Sequence, residues 1–268
     1  MGHSIDLPSC QTVGNATAAV WFTATDAVKQ RELVTDCEDL LDSAERRRYE
    51  SFRFPDDRHL YLVAHALLRT SLSRYAAVSP RDWRFSGGDG QRPEIVQDVA
   101  AEPRLRFSLS HTRGLAACLI ARQVDVGVDV EPVDNKVNAR SIGERYFSAY
   151  ESRQLAGLSG DARQERFLEY WTLKEAYVKA CGVGLSVPLD DFYFYRDGDE
   201  TWQIDFSSQA HSSPDTWQFW CGRPTPDHIL SIAIRRLDQQ PFDVTIRETV
   251  PLRDPPDSPT RPTEIFPT

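Results

Sequence analysis

The chain repeats its own plan, and that repeat limits the folds open to it. An apolar strand, "AVWFTATD" (19–26), precedes a helix start at "DSAE" (42–45), where an acid three residues after Asp42 completes a capping box. Pro55 ends that short helix, and a longer one runs from about Asp56 with Leu60, Val63, Ala64, Leu67, Leu68 and Ser71 on one face. Strands follow near 105–111 and 115–121. A second cycle opens with "VDVGVDVEP" (124–132), passes through helices near 139–157 and 162–181, and closes with strands near 190–195, 202–206, 216–222 and 228–236. The phrases "ERRRYESFRFPDDRHLYLVAHALLR" and "GERYFSAYESRQL" with "RQERFLEYWTLKEAYVKA" read as a diverged duplication. The expectation is an α/β (α+β) protein of two similar lobes, 19–123 and 124–237. An N-terminal extension (1–18) precedes them, and a tail (238–268) with six prolines between Pro251 and Pro267 follows as extended or disordered chain.

Composition removes several classes of function. With 268 residues, 40% of them hydrophobic, the chain can bury a sizeable core. A net charge of −9 argues against a nucleic-acid partner, while a local basic pocket for small anions stays open. Cys10, Cys37, Cys118, Cys181 and Cys221 are odd in number and scattered, without a CxxC pair, so a reducing cytoplasm is expected rather than disulfides or zinc. The longest apolar run, "AACLIA" (116–121), is too short to span a membrane, no basic region with an apolar run opens the chain, and Asp6 spoils a myristoylation signal at Gly2. No membrane partner is expected.

Of the 31 basic residues only four are lysines, and two of those, Lys174 and Lys179, lie in "WTLKEAYVKACGVGL" (171–185). Helical spacing puts Leu173, Ala176, Tyr177 and Ala180 on one face and Trp171, Lys174, Glu175, Val178 and Lys179 on the other, with Gly182 as the stop. Alone, Glu175 and Lys179 would be an i,i+4 ion pair worth about 0.3 kcal/mol. In "VDVGVDVEP", alternation sends Asp129 and Glu131 to one side, where like charges repel unless a hard cation such as magnesium lies between them. "FSLSHTRG" (107–114) carries Ser110 and His111 into a turn, and Arg46, Arg47, Arg48, Arg53, Arg58 and Arg92 add positive charge in the first half. Taken together, these features form a site for a magnesium-bound, multiply phosphorylated substrate.

The pairing of "VGVDVEP" (126–132) with a tryptophan at 171 that opens "WTLKEAYVKACGVGL" resembles the signature of the 4′-phosphopantetheinyl transferases of the surfactin-synthetase (Sfp) type. That signature joins a G-[IV]-D-[IV]-E strand to a W-[ST]-x-K-E-[AS]-x-x-K helix at about this separation. "FSLSHT" resembles the family's F-[NS]-[LI]-S-H segment, "QRPEI" its [KR]-P loop and "RFPDDRHLYLVAHALLR" its first-half helix, so the likeness covers about 40–195.

The resemblance implies two lobes related by a pseudo-twofold, with the active site in the cleft between them. It further implies a holo-[acyl-carrier-protein] synthase activity: transfer of the phosphopantetheine arm of coenzyme A to a serine of an apo acyl, peptidyl or aryl carrier protein, releasing 3′,5′-ADP. Magnesium, or manganese in its place, would be the cofactor, and fatty-acid, polyketide or peptide synthesis the setting. A cytoplasmic monomer, a pseudo-dimer within one chain, is the expected form.

Carried over, Asp129, Glu131 and Glu175 would hold the metal, with Glu175 either a ligand or the base for the serine proton. Lys174 and Lys179 would meet phosphate oxygens, Ser110 and His111 the 3′-phosphate, and Arg48, Arg58 and Arg92 the adenosine end. Ser51 and Leu60 stand where many relatives carry basic residues, and the acidity of the chain points to apolar contacts with acidic carriers. The alternatives are a magnesium-dependent phosphohydrolase or nucleotidyltransferase, and a carrier- or coenzyme A-binding module without activity.

Overall fold

The computed structural model describes residues 17–87, 92–96, 104–135, 139–182, 187–207, 214–236 and 240–253. The first cycle is β1 (Thr17–Ala24), a 3₁₀ turn (Thr25–Val28), α1 (Arg31–Glu38), α2 (Ser43–Ser51), α3 (Pro55–Leu72), a hairpin of β2 (Phe85–Ser86) and β3 (Glu94–Ile95), and a hairpin of β4 (Leu105–Thr112) and β5 (Leu115–Arg122). The second is β6 (Val126–Pro132), α4 (Ala139–Tyr146), α5 (Ala149–Ala156), α6 (Gly160–Cys181), a hairpin of β7 (Phe192–Arg196) and β8 (Trp202–Phe206), and a hairpin of β9 (Trp217–Thr225) and β10 (His228–Arg235). Each cycle builds a sheet with its own first strand beside its last: β1-β5-β4 in one, β6-β10-β9 in the other.

The expected tail is corrected in part. Asp243–Glu248 forms β11, which pairs parallel with β1 and extends the first sheet to β11-β1-β5-β4. Its "DVTIRE" supplies alternating side chains, and Ile246 is buried. Residues 1–16 and 254–268, and with them Cys10, lie outside the described residues.

The sheets face each other through Val20 and Phe22 of β1, Leu119 of β5, Val126, Val128 and Val130 of β6, and Ile232 of β10. α3 covers the outer side of the first sheet and α6 that of the second, giving four layers, helix–sheet–sheet–helix. Among the described residues no helix is long and apolar enough to cross a membrane.

Helix ends follow local chemistry. Asp42 and Glu45 form the expected capping box of α2, Ser148 and Glu151 form its counterpart on α5, Pro55 occupies the first turn of α3, and Gly182 ends α6 at φ 70° in the left-handed region. The two capping acids then do the same second job. Glu45 Oε2 accepts from Arg69 Nη2 at 2.6 Å, and Arg69, fully buried on α3, also donates to the carbonyls of Pro80 and Trp83 at 3.0 and 3.1 Å. Glu151 Oε2 accepts from Lys174 Nζ at 2.9 Å, and Lys174, fully buried on α6, donates to the carbonyls of Leu189 and Phe192 at 2.7 and 2.6 Å. In each lobe one ion pair thus ties a short helix and a long helix to the segment leading into the small hairpin. This shared wiring is the pseudo-twofold in chemical form.

Two outcomes follow. Lys174→Met strands the Glu151 carboxylate in the core and should cost about 3–5 kcal/mol in denaturant unfolding, part of which Glu151→Gln in the same chain restores. For Glu45, burial alone would raise the carboxyl, but the hydrogen bonds and charges of His65 and Arg69 outweigh it and hold the group at about 2. A free glutamate titrates near 4.3, so the stabilisation is complete above about pH 4.5 and is lost as pH falls toward 2. Unfolding followed from pH 6 to 2.5 should show a steep acid limb that Glu45→Gln flattens.

Candidate active site

The site begins with a residue that has no side chain. A Cβ at Gly127 would stand 1.8 Å from the Ala176 carbonyl oxygen and 2.7 Å from the Ala180 nitrogen, so glycine lets β6 lie directly against α6. Two residues further along β6, Asp129 faces α6, and Lys179 of α6 reaches it: Nζ lies 2.7 Å from Asp129 Oδ1 and donates to the Val128 carbonyl at 3.2 Å. β4 of the first sheet runs beside β6, with Ser108 Oγ accepting from Val128 N at 3.0 Å. Ser110 Oγ donates to Asp129 Oδ1 at 2.9 Å and accepts from Lys179 Nζ at 3.0 Å. Ser110, Asp129 and Lys179 therefore meet on the seam between the lobes.

Electrostatically this is an unrelieved place. Asp129 is only 6% exposed and its Oδ2 is buried without a hydrogen-bond partner among the described residues. Burial, and then the Asp129 charge, push Glu131 up to about 7 against the hydrogen bond from Asn135 Nδ2. The same two causes raise Glu175, opposed by Lys179. The Asp129 charge thus disfavours charge on both Glu131 and Glu175, as happens within a donor set for a hard divalent cation before the cation binds. Among the described residues, no three carboxylate, imidazole or thiolate groups converge closely enough to hold a metal as they stand.

Glu131 also lines a cleft of about 540 Å³ with Thr112, Arg113, Pro132, Asp134 and Asn135, whose rim is bridged by an Arg113–Asp134 ion pair. Beyond Ser110, His111 is exposed at the end of β4. The protein packed around it, then the nearby charges of His65 and Lys179, hold its imidazole below the ordinary value.

Two expected ligands are elsewhere. Lys174 does not share the face of Glu175 and Lys179: from Phe167 on no residue of α6 is exposed, and Lys174 points at Glu151 in the second core with every donor occupied. Arg92 is spent on protein acceptors, with Nη1 donating to the Ala180 carbonyl at 2.9 Å and Nη2 to the Val126 carbonyl at 3.1 Å. Arg48 is exposed on α2, its guanidinium 5.1 Å from the Phe52 ring, and Arg58 donates to the Phe52 carbonyl at 2.9 Å.

Sequence reasoning missed what connects those arginines to His111. Phe52 packs on Tyr61 at 5.3 Å, and Tyr61 stacks on His65 at 4.0 Å, with His65 anchored by Glu45 Oε1 at 2.8 Å. Arg58, Tyr61, His65 and Arg69 fall at i, i+3, i+7 and i+11, a polar stripe opposite the apolar face of α3, and that spacing was available to find them.

The 4′-phosphopantetheinyl transferase superfamily model matches residues 125–233. Curated relatives carry the likeness further. The chain is 34% identical over 146 residues to the 4′-phosphopantetheinyl transferase HetI of a Nostoc species, covering 54% of this chain and 61% of HetI. It is 30% identical over 171 residues to the Synechocystis protein slr0495, which bears the same transferase name, covering 64% of this chain and 67% of that one. It is 30% identical over 155 residues to the 4′-phosphopantetheinyl transferase Sfp of Bacillus subtilis, covering 57% of this chain and 66% of Sfp. The matched region thus spans about two thirds or less of each of these relatives. The family-model match, 125–233, contains Asp129, Glu131, Glu175 and Lys179 together with β6 and α6, and with the Synechocystis relative covered to 67% the chain belongs to the 4′-phosphopantetheinyl transferase superfamily.

Proposed function

We propose that the protein transfers the 4′-phosphopantetheine arm of coenzyme A to a serine hydroxyl of an apo carrier protein and releases 3′,5′-ADP. The observation that carries this reading is the buried Asp129 Oδ2, without a partner among the described residues, beside Lys179, with Glu131 and Glu175 both raised. Such a cluster suits a substrate that brings both negative phosphate oxygens and a divalent cation.

On this reading Asp129, Glu131 and Glu175 would be the residues that hold magnesium. The ion, when bound, neutralises charge on the pyrophosphate. Lys179 places its ammonium on the same pyrophosphate, where it is a compact point charge. The serine oxygen forms a bond to the β-phosphorus, and the bond from that phosphorus to the bridging oxygen breaks. Its electron pair leaves with the nucleotide, and the serine proton passes to Glu175 or to a water that Glu175 orients. Lys179 offsets the charge that grows on the equatorial and leaving oxygens.

His111, with His65 behind it, and the Arg48–Phe52–Tyr61 wall take the adenosine end and its 3′-phosphate. The two halves, 19–123 and 124–237, act as the lobes of a monomer. A cytoplasmic setting accords with Cys37, Cys118, Cys181 and Cys221, which are all free thiols.

Incubated with coenzyme A, magnesium and a panel of apo carriers, the protein should add the arm to at least one of them, read by intact mass spectrometry, and EDTA should stop the reaction. If coenzyme A is consumed without any carrier gaining mass, the protein is a hydrolase. Asp129→Ala should lower turnover about 10²-fold or more with an unchanged circular dichroism spectrum. Near-normal turnover of that variant at limiting magnesium would remove Asp129 from the metal set.

A further inference from the structure

Arg92 lies at a junction that no ligand role explains. Its side chain is 14% exposed, between the small hairpin of the first lobe and the far end of the seam. Besides the carbonyls of Ala180 and Val126, it reaches that of Phe107 at 3.4 Å and the Asp125 carboxylate at 3.5 Å. Phe107 precedes Ser110 on β4 by three residues, Val126 precedes Asp129 on β6 by three, and Ala180 adjoins Lys179 on α6. One rigid fork thus grips the three elements that deliver Ser110, Asp129 and Lys179. It does so beside Gly127, where β6 and α6 touch, and its Cδ stands 3.5 Å from where a Cβ of Gly182 would be. The Ala180 carbonyl is in the last turn of α6, where it has no partner within the helix, and the guanidinium caps it.

We infer that Arg92 is a positioning residue: it fixes the register of β4, β6 and α6 so that Ser110, Asp129 and Lys179 meet, and it does not bind the substrate. The inference rests on the transferase reading for its kinetic consequence but not for its structural one. The planar guanidinium matters here. Its donors diverge toward acceptors on three elements, a geometry that a lysine ammonium on its single tip does not reproduce. A loss of alignment without loss of a substrate contact should appear in turnover rather than in affinity. Displacement of reacting groups by a fraction of an ångström to one ångström is worth roughly ten- to a hundred-fold.

The experiment compares wild type, Arg92→Ala and Arg92→Lys with coenzyme A and dephospho-coenzyme A in carrier modification, and follows amide exchange in parallel. In Arg92→Ala, kcat should fall by roughly ten- to a hundred-fold while KM for coenzyme A changes by less than about three-fold. The preference for coenzyme A over its dephospho form should stay at the wild-type ratio, and added guanidinium should restore part of kcat. Amides at the end of α6 and the start of β6 should exchange faster than in wild type, while those of α3 do not. Arg92→Lys should fall between the two, and it carries the test if the alanine variant does not fold. A raised KM with unchanged kcat and a lost preference would make Arg92 a phosphate ligand and overturn the inference. So would unchanged exchange at α6 and β6, a readout that stands even if the wild type modifies no carrier and the transferase reading fails.

Discussion

The contact between β6 and α6 at Gly127 is the constraint on which the rest of the site depends. A strand and a helix normally keep a layer of side chains between them. Here the strand backbone meets the carbonyl of Ala176 so closely that even a methyl group is excluded. The short separation brings Asp129 within 2.7 Å of Lys179, and it requires α6 to be held along its length. Three attachments do so: the Lys174–Glu151 pair in the second core, the Thr172–Ser231 hydroxyl contact at 2.7 Å to β10, and Arg92 at the C-terminal end. Each uses a buried polar group, so each is directional where apolar packing alone would let the helix slide.

The two cycles share a plan but differ at the place of the site. Five residues after each buried cation comes another basic residue. In the second lobe Lys179 reaches Asp129 on β6, and in the first Arg74 lies over the Trp21 ring on β1 at 4.3 Å and donates to Thr249 Oγ1 at 2.9 Å. The indole stands where the carboxylate stands in the other half. β11 then pairs along β1, on the edge that β6 instead turns toward β4. In the first lobe that place is core, with Trp21 buried in it and the C-terminal strand β11 along β1.

Much of this was legible in the chain because the informative patterns are local. Capping acids, Pro55, Gly182 and the alternation in "VDVGVDVEP" each act within a few residues, and they placed the long helices, the main hairpins, and Asp129 with Glu131 on one face. Lys174 was misread for a physical reason. A helix whose C-terminal two thirds has no exposed residue shows no clear polar stripe there, so its period does not separate a charge facing a cleft from one facing a buried partner, and that partner, Glu151, lies 23 residues away. The short strands β2 and β3 offer two residues each, too few for a period. β11 was hidden by the prolines that follow it, and its partner β1 is at the other end of the chain. Arg92 carries a motif that resembles a ligand loop, and only the fold shows how many carbonyls it already serves.

The chain treats its buried carboxylates unequally, and the inequality locates the chemistry. Glu151 is fully buried, yet both oxygens are supplied: Oε2 accepts from Ser148 N at 3.1 Å, Ser148 Oγ at 2.9 Å and Lys174 Nζ at 2.9 Å, and Oε1 from Phe194 N at 3.1 Å. Glu45 is served as completely by Arg69, His65 and the Asp42 amide. Asp129 is buried to a similar degree and has the same need, but among the described residues only Oδ1 is met. Leaving a buried acceptor unsatisfied costs about 1–3 kcal/mol, and here the Asp129 charge also bears on Glu131 and Glu175. A fold that pairs its other capping and core acids so fully can match one more oxygen, with a serine or an amide a residue away. Among the described residues Asp129 Oδ2, on the seam between the lobes, is the carboxylate oxygen that stands apart from this pattern, and it is on this contrast that the proposed role of Asp129 rests.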